Sequence, residues 1–134
     1  MESGNTSSER SDGDTTRILV VDDDEPLRAL IEEILLTADY AVTTAANGQQ
    51  ALQCLNQQSF DLVITDLVMP DLDGTELIRQ IRRDQPTLPI VAVSGAGRDA
   101  DLYLRIAEKL GASALLSKPF RMRAVLETVD SCLS

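Results

Sequence analysis

The 134-residue chain contains no histidine and no tryptophan, and only 3% of it is aromatic. Without histidine there is no imidazole base, no imidazole metal ligand and no phosphohistidine. Any metal must be held by oxygens, which selects a hard cation such as Mg²⁺. The scarcity of aromatics leaves Leu, Ile, Val and Ala to build a core from a 43% hydrophobic composition. Cations are also scarce: 12 Lys and Arg face 22 Asp and Glu, a formal charge of -10. That balance disfavours direct binding to nucleic acid or to an anionic membrane, since both want basic patches. No apolar run is long enough for a transmembrane helix, and the polar, acidic N-terminus is unlike a signal peptide. The only cysteines, Cys54 and Cys132, match no metal or redox spacing. They read as free thiols of a reducing compartment, which predicts a cytoplasmic protein.

What is present is ordered in a simple way. Residues 1–16, MESGNTSSERSDGDTT, are polar and lack apolar periodicity, so they are expected to form a disordered tail. Residues 17–134 then suit one domain. RILVV (17–21) is a continuous apolar run, as in a strand buried on both faces. Asp24 is a candidate N-cap, and Pro26 is tolerated in a first helical turn. Leu27, Leu30, Ile31, Ile34, Leu35 and Ala38 recur at helical spacing behind it.

Further strands are predicted at 40–45, 60–65, 89–94 and 114–117. Helices are predicted between and after them, at 47–57, 74–83, 100–110 and 121–133. The expected inner faces are Ala51, Leu52 and Leu55; then Leu77, Ile78 and Ile81; then Leu102, Ile106 and Leu110; then Val125, Leu126, Val129 and Leu133. Strand and helix alternate five times, which argues for an α/β fold with a parallel sheet covered on both faces.

In such sheets ligands sit beyond the carboxyl ends of the strands. The first strand runs into Asp22 and Asp23, the third into Asp66, the fourth into Ser94 and the fifth into Lys118. Each has a plain explanation alone: a helix cap, a turn, a satisfied hydroxyl, a solvated lysine. Together they place three acids, a hydroxyl and a lysine on one edge. Crowded carboxylates repel, and a divalent cation relieves that repulsion. A carboxylate beside Mg²⁺ can act as a nucleophile and form an aspartyl phosphate. The three outer phosphoryl oxygens would then be shared among the cation, a lysine, and a hydroxyl with a backbone N–H.

ILVVDDDEPLR (18–28), DLVITDLVMPDLDG (61–74), PIVAVSG (89–95) and GASALLSKPF (111–120) resemble the signature blocks of response-regulator receiver domains from two-component and phosphorelay signalling. The four blocks occur in order over nearly the whole ordered chain. The resemblance implies a flavodoxin-like (βα)5 receiver fold with strand order 2-1-3-4-5. It implies that Asp66 accepts the phosphoryl group from a sensor histidine kinase or histidine phosphotransfer protein. It further implies that Asp23 ligates Mg²⁺ directly and Asp22 through water, with Asp66 and the backbone carbonyl of Val68 completing the protein ligands. Mn²⁺ would be a substitute. Ser94 corresponds to the switch hydroxyl, Lys118 to the phosphate-binding lysine, and Lys118–Pro119 to a cis peptide. The protein would be no enzyme beyond catalysing its own phosphorylation and slow dephosphorylation. It would meet a downstream protein through the face made by the fourth helix, fifth strand and fifth helix, with Leu102, Tyr103 and Arg105 near the rim.

Two positions depart from the pattern. Leu115 stands where the family often has an aromatic residue, so a loop movement or leucine repacking must carry the signal. Val68 and Ala96 are apolar where polar side chains would position water, which predicts no strong built-in phosphatase assistance. Three other readings compete. A haloacid-dehalogenase-type phosphatase would need further acids after Lys118, where only Glu127 and Asp130 occur, on the last helix. Dinucleotide binding at GAGRDA (95–100) would need an acid about 20 residues on, where Leu115 to Lys118 stand instead. The third is a receiver fold kept as a phosphorylation-independent docking module.

Overall fold

The three central strands are short runs of apolar and β-branched residues that bury both of their faces, as a sheet sandwiched between helices requires, whereas the two edge strands are only partly buried. The structure, a computed structural model, describes residues 15–69, 72–95 and 100–134. Its elements alternate as β1 (Arg17–Val21), α1 (Glu25–Thr37), β2 (Ala41–Ala45), α2 (Gly48–Gln57), β3 (Leu62–Asp66), α3 (Gly74–Asp84), β4 (Ile90–Ser94), α4 (Ala100–Leu110), β5 (Ala114–Ser117) and α5 (Met122–Leu133). All pairings are parallel, in the order β2-β1-β3-β4-β5. This is the five-stranded (βα)5 arrangement and strand order expected. The N-terminal residues 1–14 and the loop residues Ala96 and Gly97 lie outside the described residues.

Alternation along each strand feeds two core layers. Ile18 and Val20 of β1 join Ile31, Ile34 and Leu35 of α1 and Val125 and Val129 of α5. Leu19 and Val21 point the other way, to Ala51 of α2, Leu77, Ile78 and Ile81 of α3 and Ala107 of α4. β3 is buried along its whole length, Asp66 included.

Two helix faces differ from the sequence reading. On α4 the expected inner residues Leu102 and Ile106 are exposed, at 54% and 36%. Tyr103, Leu104, Ala107 and Leu110 pack on the core instead. Leu110 belongs to either stripe, and the small Ala107 lets the helix approach the sheet closely. On α1, Leu30 is half exposed and Ala38 is an exposed C-cap, leaving Leu27, Ile31, Ile34 and Leu35 as the inner stripe.

The parallel topology brings helix N-termini to the edge where the strands end. Asp24, Asn47 and Asp73 cap α1, α2 and α3 through side-chain acceptors for the N–H groups of Leu27, Gln50 and Glu76. α5 starts at Arg121 with no side-chain cap. No helix among the described residues is long and apolar enough to cross a membrane.

Candidate functional site

β1 and β3 are hydrogen-bonded neighbours, paired from Ile18↔Leu62 to Val21↔Thr65. The residues that follow this pairing are therefore side by side: Asp22 after β1 and Asp66 at the end of β3. One carboxylate oxygen from each of Asp22, Asp23 and Asp66 lies within 4.8 Å of the others. Asp22 and Asp66 are buried, while Asp23 is exposed. Lys118, just beyond β5, reaches back across the edge. Its Nζ is 3.7 Å from Asp22 Oδ2 and 3.8 Å from Asp66 Oδ2. The backbone N–H of Lys118 donates to the Ser94 carbonyl at 2.8 Å, which ties the ends of β4 and β5 together. The Lys118–Pro119 peptide is cis, as expected.

Ser94 is buried at the same edge, and its hydroxyl donates to the Gly95 carbonyl at 3.4 Å. It thus lies at the site but bonds its own loop. The side chain of Val68, two residues past Asp66, is exposed.

The acids are held by main chain. Asp22 Oδ1 accepts from the Asp24 N–H at 2.9 Å, and Asp66 Oδ1 from the Leu67 N–H at 2.9 Å. Thr65 donates its hydroxyl to the Asp66 carbonyl at 2.9 Å. Gly74 packs directly on that carbonyl, where a β-carbon would collide with it. A β-carbon on Gly48 would lie 2.6 Å from the Leu72 carbonyl oxygen. Both stretches of loop after Asp66 therefore rest against backbone that only glycine permits.

Burial is the largest influence on Asp66 and disfavours its charged form. The charge of Asp22 adds to this, Lys118 and the Leu67 N–H act against it, and the carboxyl is pushed up to about 6. Asp22 is also raised, again chiefly by burial, against the opposing effects of the Asp24 N–H and Lys118. Buried acids that resist ionising together, offering hard oxygens at a shared point, fit a divalent cation that keeps part of its water shell.

Residues 18–130 match the family described as the response regulator receiver domain. The chain is 34% identical over 116 residues to the transcriptional regulatory protein GlrR of Escherichia coli K12, covering 87% of this chain and 26% of that protein. It is 36% identical over 118 residues to the CpxR homolog of Haemophilus influenzae, covering 88% of this chain and 50% of that protein. The crystal structure of the NtrX receiver domain from Brucella abortus superposes with a TM-score of 0.82 at 31% identity, covering 87% of this chain and 97% of that one. The protein belongs to the response-regulator receiver family, the phospho-accepting switches of two-component signalling. The chain spans about a quarter to a half of the length of these curated relatives.

The structure thus brings together Asp22, Asp23, Asp66 and Lys118, with Ser94 one strand away. The sequence reading did not find Arg28, whose Nη1 donates to the Asp22 carbonyl at 2.8 Å. A signal was available: a cation in the first turns of a helix opposes the helix dipole, so its placement there asks for a reason.

Proposed function

We propose that this protein takes a phosphoryl group onto Asp66 and so changes its affinity for a partner. The donor is a phosphohistidine on a sensor histidine kinase or histidine phosphotransfer protein, and it is foreign because this chain has no histidine of its own. The P–N bond of the donor breaks and a P–O bond to the Asp66 carboxylate forms. Mg²⁺, or Mn²⁺ in its place, would neutralise the crowded acids and the phosphoryl oxygens. Its ligands would be Asp23 directly, Asp22 through water, Asp66 and the Val68 carbonyl. Lys118 holds a second phosphoryl oxygen, and Ser94 with a nearby N–H holds the third. The observation that carries this reading is Lys118 set between two buried carboxylates, within 4 Å of each. Without a phosphoryl group it already marks where anionic oxygen is expected.

On phosphorylation Ser94 turns from the Gly95 carbonyl toward the new oxygens, and the loop after β4 follows. Leu115 packs with Tyr103 and Leu104 of α4 against the core. Repacking there replaces an aromatic switch and alters the α4–β5–α5 face that meets the downstream protein. The protein works in the cytoplasm and is no enzyme beyond its own phosphorylation and slow dephosphorylation.

The test is intact-mass spectrometry after incubation with acetyl phosphate and Mg²⁺, with Asp66→Ala alongside. A Mg²⁺-dependent phosphoryl adduct on the wild type, absent from the variant, is expected. No adduct on folded protein, with acetyl phosphate or with phosphorylated histidine kinase, would leave a docking module as the function.

A further inference from the structure

Outside the residues assigned above, Arg28 sends a side chain to the main chain of a candidate cation ligand. It sits in the first turns of α1, where a positive charge is unfavourable to the helix dipole. Its Nη1 reaches back to the main-chain carbonyl of Asp22, in a partly buried setting. This bond closes a compact ring. The Asp24 N–H donates to Asp22 Oδ1, the Leu27 N–H to Asp24 Oδ1, and the Arg28 N–H to the Asp24 carbonyl. Upstream, the Asp22 N–H donates to the Ala45 carbonyl of β2. The turn that carries both Asp22 and Asp23 is therefore fixed to β2 on one side and to α1 on the other.

That turn is where fixing is needed. Asp22, Asp23 and Asp66 point their oxygens at a common space although their charges repel. Left free, the turn would relax by swinging the exposed Asp23 outward into water. A charge-assisted bond to the Asp22 carbonyl opposes that relaxation without occupying a carboxylate oxygen. We propose that Arg28 is a positioning residue for the cation site, holding Asp22 and Asp23 in the arrangement that a divalent cation requires. This rests on the reading of the acidic pocket as a Mg²⁺ site.

Arg28 has two influences on a bound cation, and they differ in sign. As a positive charge near the pocket it repels Mg²⁺. As a clamp it favours Mg²⁺ by keeping the ligands assembled. The charge is one cation set against three clustered carboxylates, whereas the clamp acts on the main chain of a ligand residue. The clamp therefore decides the outcome. Supports of this kind typically change metal affinity about tenfold or more when lost.

The experiment is calorimetric titration of MgCl₂ into the wild type, Arg28→Lys and Arg28→Met, with thermal melts of each in chelator. Arg28→Met keeps the apolar stem but has no donor, and is expected to bind Mg²⁺ about tenfold more weakly. Arg28→Lys can still reach a carbonyl and is expected to stay within about threefold of wild type. Arg28→Met binding Mg²⁺ as tightly as wild type or more tightly would overturn the proposal, as would a lower melting temperature with unchanged Mg²⁺ affinity. If the wild type itself binds no Mg²⁺, the Mg²⁺ reading of the pocket falls, and this inference with it.

Discussion

At the scale of a residue, Asp66 combines requirements that conflict. It closes a strand buried along its length, yet the phosphoryl transfer proposed for it requires the charged form. Burial and the neighbouring Asp22 lift it from 3.8 to about 6. Between those values the folded protein holds a proton that the unfolded chain has released, so stability falls as pH rises across that window. Asp22 is shifted in the same direction. At about 1.4 kcal/mol per unit, Asp66 alone accounts for up to about 3 kcal/mol. Denaturant melts of Asp66→Asn without metal should therefore show a gain of about 1–3 kcal/mol over wild type at pH 7 that disappears near pH 4. Mg²⁺ should restore much of the difference by stabilising the wild type preferentially. The acids, the serine and the lysine were legible in sequence because each directly ends or follows an apolar strand. Arg28 was not, because its partner is a backbone carbonyl, which carries no side-chain signature.

At the scale of an element, existence and order were legible, whereas helix orientation was not always so. β1 and β5 agree with expectation at both ends, and the other strands to within two residues, because continuous apolar runs have abrupt borders. The inner face of α4 was misread, since Leu102, Tyr103, Leu104, Ile106 and Leu110 offer overlapping stripes. Only the sheet beneath decides between them, by favouring Ala107 at closest approach. The turn after α1 holds another feature hidden from sequence. Asp39 adopts a left-handed backbone (φ 66) as the helix ends, where glycine is usual. Its negative charge also meets the negative end of the helix dipole. Asp39→Gly should stabilise the protein by about 0.5–1 kcal/mol in equilibrium urea unfolding, leaving Mg²⁺ binding unchanged.

At the scale of the molecule, the site draws on four different strand ends, and the topology alone makes them neighbours. Parallel winding was legible from the fivefold alternation of strand and helix. The 2-1-3-4-5 order came from resemblance, since periodicity does not say which strands pair. That order puts β1, β3 and β4 side by side and leaves β5 at the sheet edge, linked to the site by Lys118. A signal starting at Asp66, as proposed, would therefore have a short route to one edge of the sheet. Beryllofluoride added to the Mg²⁺-bound protein should change amide hydrogen exchange across residues 94–120 and leave α1 and β2 near their rates with Mg²⁺ alone. Identical exchange with and without the phosphoryl mimic would refute the switch.

The glycines around Asp66 give that route its direction. Gly74 lies against the main chain of Asp66 and Leu67, and Gly48 against Leu72, with no slack for even one methyl group. Across the pocket, the nearest obstacle to a β-carbon on Gly95 is a flexible Lys118 methylene 4.0 Å away. The pocket is thus tightly packed on one side and has room beside Gly95 on the other. On the proposed reading, a group added at Asp66 meets tight packing on one side and room on the other, which favours displacement toward β4 and β5. Packing would then act as a rectifier, turning a bulky, charged addition with no preferred direction into movement of one side.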